Sequence, residues 1–258
     1  MFYFELTEDG SPTLRLATGA SLVIGEASDP SNRGEAMHSL KGAFSETLYI
    51  YGSAIETSLA SGFRPRVLSL GLGLGYVEIL SVAQFLVAAR IHPKPAEFLS
   101  TCGGESFELV PELREYFLAW ATRSSVIPGE FAKVYDEILA RTSSHVGVSA
   151  GEIRENLSKW LKNGQWKIRP AMTAETRFDA PFGCICFDAF SSKTSPELWT
   201  EEFLGRFLEE AAAPTCVLST YACTGALKRS LKNAGFNLTI REGFASKRDS
   251  TFAVRSPR

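Results

Sequence analysis

Asp188 ends an apolar run that begins at Phe182, and Phe190 follows it by two residues. A carboxylate that directly follows a buried parallel strand points into the crevice where α/β proteins bind their ligands. There Asp188 could accept hydrogen bonds from an amine, orient it and receive its proton, while Phe190 could stack on a planar base. Because a carboxylate is a weak base toward an ammonium group, orientation is the larger part of this candidate catalytic role. The alternative is that Asp188 only caps a turn.

Three glycines at alternate positions, Gly71, Gly73 and Gly75, form a second candidate site. A turn without Cβ atoms lets the backbone approach a ligand closely, and a helix after it presents free N–H groups at its start. The third glycine comes two residues after the second rather than three, which disfavours the dinucleotide-binding pattern. We therefore predict a cofactor-binding turn of another kind. The alternative is a tight strand-to-helix turn that binds nothing.

A strand, a helix and a second strand are needed to hold this turn in place. The apolar pattern predicts a strand at residues 66–70, a helix at residues 76–89 and a second strand at residues 97–100. A strand–turn–helix–strand unit of this kind implies a parallel sheet.

The rest of the chain is predicted to extend that sheet within a single domain of residues 1–258. Short strands are expected in the first 25 residues, a helix at residues 41–60, and a helical insertion at about residues 107–162. The last two strands follow each other without a helix, so the sheet should end in an antiparallel hairpin. The later predicted strands are residues 165–169, 182–187, 215–219, 236–241 and 250–255, and the later helices are residues 200–212 and 225–234.

Composition is that of a globular protein, with 45% apolar and 22% charged residues in a chain of 258. No apolar run approaches the about 20 residues of a membrane span, and the first residues lack a signal-peptide pattern. A soluble cytoplasmic protein without membrane association is therefore expected. The five cysteines form no C-x-x-C pair, so that neither a metal site nor a disulfide is predicted.

Charge is distributed unevenly along the chain. Residues 226–258 contain eight Lys or Arg residues and two acids, a local net charge of +6, although the whole chain is at −2. A basic end on an acidic body can mark a nucleic-acid-binding face. The alternative is a solvated tail and helix surface.

Five segments carry a more specific pattern. They are Met37-His38-Ser39, Asp188-Ala189-Phe190-Ser191, Pro196-Glu197-Leu198-Trp199-Thr200, Ala234-Gly235-Phe236 and Gly243-Phe244-Ala245-Ser246-Lys247-Arg248. In this order and spacing, and with Gly42-Ala43 and Glu46 after the first of them, they resemble the MnmC-type tRNA methyltransferases over most of the chain. Glu46 is otherwise interpreted as a charge on a helix surface.

The resemblance implies a class I S-adenosylmethionine-dependent methyltransferase fold, a Rossmann-like α/β architecture with a mostly parallel sheet that ends in an antiparallel hairpin. It implies methyl transfer from S-adenosyl-L-methionine to the aminomethyl nitrogen of 5-aminomethyl-uridine at the tRNA wobble position. Asp188 aligns with the family's catalytic aspartate. The candidate substrate-binding residues are His38, Ser39, Phe190, Lys247 and Arg248. In many bacteria the domain is fused to a flavin-dependent oxidase; this chain is too short to contain one, so a stand-alone form with a separate oxidase partner is expected.

The cofactor side of the sequence departs from the family pattern. Ser69 stands where the family has an acid before the glycine turn, and Leu74 stands where it has Thr. The family's ribose-binding Glu would fall near residues 101–102, so Glu105, the nearest later carboxylate, is the candidate cofactor-binding acid. Ala171-Met172-Thr173 replaces the segment Gly-Asp-Ala that contacts adenine in the family.

Three interpretations of function therefore stay open. The first is an RNA-modifying methyltransferase, which the Asp188 segment and the basic C-terminal region favour. The second is a methyltransferase of a small amine, which fits the acidic body. The third is a catalytically inactive relative that binds a partner, which the missing cofactor-side acids favour.

Overall fold

Two β-sheets contain the strands of the chain, which a computed structural model describes over residues 2–16, 36–189, 195–246 and 249–256. β1 (Phe2–Leu6) and β2 (Pro12–Leu16) form an antiparallel hairpin. The larger sheet consists of β3 (Arg66–Leu70), β4 (Gly103–Phe107), β5 (Trp166–Arg169), β6 (Phe182–Phe187), β7 (Ala212–Thr220), β8 (Asn237–Arg241) and β9 (Ser250–Arg255). Its order is β5-β4-β3-β6-β7-β9-β8, and only β9 is antiparallel to its neighbours.

Helices cover both faces of this sheet. They are α1 (Ala43–Thr47), α2 (Ser53–Ala60), α3 (Tyr76–Ile91), α4 (Pro95–Thr101), α5 (Pro111–Thr122), α6 (Gly129–Val146), α7 (Ala150–Asn163), α8 (Glu201–Ala211) and α9 (Gly225–Asn233). A π-helical turn, Leu48–Gly52, joins α1 to α2, and 3-10 turns lie at Pro196–Trp199 and Phe244–Ser246. Across the ranges that the structure describes, no helix is long and apolar enough to cross a bilayer.

The alternation of side chains along the strands divides the core into two layers. Successive strand residues point to opposite faces, so Val67 packs with α2, α3 and the helices from α5 to α7, whereas Leu68 packs with α8 and α9. α3 is apolar nearly all round. The reason is that α6 and α7 contact it as well as the sheet, which is the arrangement expected of a fully enclosed helix.

Most of the predicted elements are confirmed. The strands at 66–70 and 182–187 have the predicted bounds, and β8 and β9 form the predicted antiparallel pair. Residues 107–162 contain α5, α6 and most of α7, in agreement with the helical pattern. Their description as an insertion within one domain stays a prediction.

The predicted second strand at residues 97–100 is wrong, because these residues belong to the helix α4. Pro95 occupies the first helical position, where its fixed φ and missing N–H favour a helix start. The actual strand begins at Gly103 and includes Gly104, two residues that disfavour strands by propensity. Glycine is required there because a Cβ would lie 2.3 Å from the carbonyl oxygen of Gln165 and 2.5 Å from that of Val67, respectively.

Candidate functional site

A cavity of about 250 Å³ opens at the carboxyl ends of the parallel strands. Its lining includes the residues that directly follow three neighbouring strands: Gly71 after β3, Glu108 after β4 and Asp188 after β6. This edge is where open α/β sheets bind ligands. Apolar walls complete the cavity and come from Met37, Leu72, Met172 and Leu198.

Asp188 lies at the centre of the predicted site. The hydroxyl of Tyr51 donates a hydrogen bond of 2.5 Å to Asp188 Oδ1. Burial raises the pKa of Asp188 to about 7, and the carboxylates of Glu46, Glu78 and Glu108 raise it further, while the Tyr51 hydrogen bond opposes the shift. A carboxyl group with a pKa near neutrality can exchange a proton with a bound amine far better than an ordinary aspartate can.

Two of the three predicted glycines line the cavity. Gly71 has φ +99°, and a Cβ on it would lie 2.6 Å from the carbonyl oxygen of Asp188. Gly73 has φ +51°, and its Cβ would lie 3.5 Å from the sulfur of Met37, which also lines the cavity. Both positions favour glycine because L side chains rarely adopt such angles. The turn is held to the sheet by the N–H groups of Gly71 and Leu72, which donate to the Phe107 carbonyl at 3.0 Å.

Gly75 does not line the cavity, in contrast to the prediction. A Cβ there would lie 2.1 Å from Cε2 of Phe117, a buried ring on α5. Gly75 therefore allows α5 to pack against the start of α3. Its conformation, φ +75°, is again left-handed.

Glu105 also lies outside the cavity lining, and the prediction that it binds the cofactor has no support in the geometry. It belongs to β4, is 1% exposed, and pairs with Arg169 at 2.9 Å and with Arg66 at 3.8 Å. The prediction depended on a second strand that ended near residue 100. Since β4 ends at Phe107, the carboxylate that directly follows the strand is Glu108.

Glu108 is a functional candidate that sequence reasoning missed. Its Oε2 accepts the N–H of Gly73 at 2.9 Å, and its Oε1 accepts the N–H of Val110 at 2.9 Å. The carboxylate thus connects the glycine turn to the start of α5. Burial raises the pKa of Glu108, and the N–H donors of Val110 and Gly73 counteract that effect. A correct end for β4 is the signal that would have identified it.

The Met-His-Ser segment forms the wall opposite the glycine turn. His38 lines the cavity, with Nδ1 at 3.1 Å from Thr13 Oγ1 and its ring edge-on to Tyr76 at 5.0 Å. Ser39 is buried and does not line the cavity. Its N–H donates to Glu46 Oε2 at 2.5 Å, so it places the segment and does not face the cavity.

Glu46 lines the cavity and is not merely a charge on a helix surface. Asp9 holds the same region from the hairpin side: it accepts hydrogen bonds from Ser11 and from the N–H and hydroxyl of Ser45. Burial alone would raise the pKa of Asp9, but the hydrogen bonds from Ser11, Ser45 and Thr7 outweigh it and hold the pKa well below its usual range. Gly42 makes room for this carboxylate, since a Cβ there would lie 2.4 Å from Asp9 Oδ2.

Three predicted substrate-binding residues, Phe190, Lys247 and Arg248, lie outside the described residues. Two other members of the basic C-terminal region are used inside the fold. Arg255 donates to the carbonyls of Ala213 and Ala234, and Arg241 donates to the hydroxyls of Ser53 and Ser219. The positive charge of this region is therefore only partly available to a polyanion.

Comparison with known proteins gives the class of the chain. Residues 130–256 match a family described as S-adenosyl-L-methionine-dependent methyltransferase. The crystal structure of MNMC2 from Aquifex aeolicus superposes with a TM-score of 0.59 and 21% identity, and covers 100% of this chain and 72% of that one. Together with the sheet order and the glycine turn, these matches define a class I, S-adenosylmethionine-dependent methyltransferase fold, and they confirm the predicted cofactor class.

The resemblance to the MnmC-type methyltransferase domain is confirmed as well. The tRNA 5-methylaminomethyl-2-thiouridine biosynthesis bifunctional protein MnmC of Paraburkholderia phymatum is 28% identical over 227 residues, which cover 86% of this chain and 32% of that protein. The protein of the same name in Hahella chejuensis is 40% identical over 67 residues, 26% of this chain and 10% of that protein. The chain thus spans well under two thirds of the length of these bifunctional relatives.

Proposed function

We propose that this protein transfers a methyl group from S-adenosylmethionine to the aminomethyl nitrogen of 5-aminomethyl-uridine at the wobble position of tRNA. The observation that carries this proposal is the meeting of Gly71, Glu108 and Asp188 in one cavity at the carboxyl edge of the sheet. The similarity to MnmC-type domains over most of the chain supports the choice of acceptor.

The residues of the cavity suit S-adenosylmethionine. Gly73 leaves open a space that a side chain would occupy, and Met37 lies across that space. Glu108 offers a buried carboxylate next to the turn, which is suited to ribose hydroxyls. Ala171 and Met172 give an apolar wall in place of the family's acidic adenine contact. These features weaken the interpretation of the chain as an inactive relative, because one of the acids that seemed missing is supplied by Glu108.

The acceptor chemistry falls to Asp188. When bound, the cofactor supplies a sulfonium methyl that a nitrogen lone pair displaces, with the C–S bonding electrons remaining on sulfur as the thioether of S-adenosylhomocysteine. The nitrogen must be unprotonated before attack, so Asp188 is assigned to hold the amine by its N–H groups and to accept the proton that the product nitrogen releases. The pKa of about 7 suits that proton transfer.

The test is methyl transfer with a defined RNA. Wild-type protein, methyl-labelled S-adenosylmethionine and tRNA that carries 5-aminomethyl-uridine are incubated together, and the nucleosides are then separated. Label in 5-methylaminomethyl-uridine is expected, and tRNA with unmodified uridine is the control. Label in a free polyamine or another small amine, but not in the tRNA, would favour the small-amine interpretation. If calorimetry detects no cofactor binding, the inactive-relative interpretation takes its place.

A further inference from the structure

The π-helical turn Leu48–Gly52 interrupts an otherwise regular helix between α1 and α2. A π turn contains an extra residue, which leaves backbone carbonyls without their usual partners and re-aims the side chains of the turn. Such turns are frequent at functional sites. Gly52 ends this one and packs closely on α3, since a Cβ there would lie 3.2 Å from Cδ2 of Leu80.

Side chains from three other elements satisfy the carbonyls of the π turn. Ser219 of β7 donates to the Ile50 carbonyl at 2.6 Å, and Arg241 of β8 contacts the same oxygen at 3.5 Å. Gln84 of α3 donates to the Gly52 carbonyl at 3.2 Å. Because buried polar groups of separate elements meet this turn, its irregular conformation is part of the folded structure and not a frayed helix end.

The consequence of the π turn is the position of Tyr51. Its side chain is 3% exposed, lines the cavity and carries the hydroxyl that lies 2.5 Å from Asp188 Oδ1. Burial and the neighbouring Asp188 carboxylate raise the pKa of Tyr51 well above its usual value. Tyr51 therefore stays neutral and remains a hydrogen-bond donor across the physiological pH range.

We propose that Tyr51 is a positioning residue for methyl transfer, whose hydroxyl fixes Oδ1 of Asp188 and leaves Oδ2 for the acceptor nitrogen. The inference rests on the proposed function. It assigns to the π turn a specific task, which is to deliver one hydroxyl to the catalytic carboxylate from a residue 137 positions away in the sequence.

The charged surroundings of Asp188 make this hydrogen bond matter. Glu46 on α1, Glu78 on α3 and Glu108 after β4 all disfavour a second negative charge, and burial does so most strongly. On the remaining sides Cys186 of β6 and Tyr221 after β7 are also titratable, and Tyr221 donates to the carbonyl of Ala189 at 2.7 Å. The hydrogen bond from Tyr51 favours the ionised form of Asp188 against these neighbours.

The experiment compares Tyr51→Phe with Tyr135→Phe. Tyr135 is an equally buried tyrosine on α6 whose hydroxyl has no hydrogen-bond partner, so its loss leaves Asp188 untouched. If removal of the Tyr51 hydroxyl raises the pKa of Asp188 by about one unit, the ionised fraction at pH 7 falls from about one half to about one tenth. The acid limb of the kcat profile should then move upward by about one pH unit, with about a fivefold lower kcat at pH 7 and an unchanged Kd for the cofactor.

A second measurement separates this inference from the choice of substrate. The carboxyl carbon of Asp188 is titrated by NMR in the wild type, in Tyr51→Phe and in Tyr135→Phe, without RNA. An upward shift of the pKa in Tyr51→Phe alone supports the positioning role, and an equal pKa in all three proteins overturns it. If wild-type protein methylates no tRNA, the proposed function fails, whereas the titration still decides whether Tyr51 controls Asp188.

One further variant tests the task of the π turn itself. Ser219→Ala removes the 2.6 Å hydrogen bond to the Ile50 carbonyl, and Ser219 lies outside the cavity lining. The expected result is a shift of the kcat profile in the same direction as Tyr51→Phe and smaller than it. A fully folded Ser219→Ala protein with the wild-type profile would show that Tyr51 is held without help from β7.

Discussion

The glycine turn can be divided into a cofactor-binding glycine and a packing glycine by three alanine substitutions. Gly73, Gly75 and Gly62 have φ values of +51°, +75° and +67°, so alanine is strained at each. At Gly62 a Cβ would have nothing within 4 Å, which makes Gly62→Ala the control for strain alone. At Gly75 the Cβ would lie 2.1 Å from the ring of Phe117, and at Gly73 3.5 Å from the sulfur of Met37.

These distances set the expected magnitudes. Left-handed alanine costs about 1 kcal/mol, and this is the loss of unfolding free energy expected for Gly62→Ala and Gly73→Ala. Gly75→Ala adds the displacement of a buried ring, about 2 kcal/mol more, for a total loss of about 3 kcal/mol. Cofactor affinity should follow the opposite order, because only the alanine at Gly73 projects into the space assigned to the ligand.

Urea denaturation and calorimetry with S-adenosylmethionine check both quantities. Gly73→Ala should bind the cofactor at least about tenfold more weakly, a change of about 1.4 kcal/mol, while Gly62→Ala and the folded fraction of Gly75→Ala keep their affinity. The reasoning is refuted if Gly73→Ala binds as tightly as the wild type. It is also refuted if Gly75→Ala is no less stable than Gly62→Ala.

Two further predictions concern carboxylates on either side of the cavity. Glu108→Gln should weaken cofactor binding by about tenfold or more, since a hydrogen bond to a charged group is lost; calorimetry checks this against Glu115→Gln, an exposed site on α5. Because the folded-state pKa of Asp9 is depressed, its stabilising contribution is present at neutral pH and is lost as the pH falls below about 4. Asp9→Asn should therefore be less stable than the wild type at pH 7 but nearly equal to it at pH 2 in urea denaturation, and an equal difference at both pH values would contradict the role of Asp9.

Hydrophobic periodicity was sufficient to predict the strands on either side of the site. The runs at residues 66–70 and 182–187 are short and apolar, and both are confirmed at their predicted bounds. Asp188 and the glycine turn could be located because each directly follows one of these strands. Their position at the carboxyl edge of the sheet is a rule of the fold and needs no knowledge of side-chain contacts.

The strand β4 could not be predicted in the same way. Its residues Gly103 and Gly104 are poor strand formers that are required by close contact with neighbouring backbone, and such contact is a tertiary property. The error moved the expected cofactor acid from Glu108 to Glu105. Tyr51 was missed for a related reason, since a π turn depends on hydrogen bonds from Ser219, Arg241 and Gln84, none of which lies near it in the sequence.

The central claim, that Asp188 orients the acceptor amine for methyl transfer, is tested most directly by single-turnover methylation at saturating cofactor. Asp188→Asn keeps the shape of the side chain and removes its charge, and Asp179→Asn, at the opposite end of β6, is the control. With tRNA that carries 5-aminomethyl-uridine, the Asp188→Asn rate should fall about 10²–10⁴-fold, while cofactor affinity and the Asp179→Asn rate stay near wild type. A wild-type rate in Asp188→Asn would contradict the mechanism and reduce Asp188 to a turn residue.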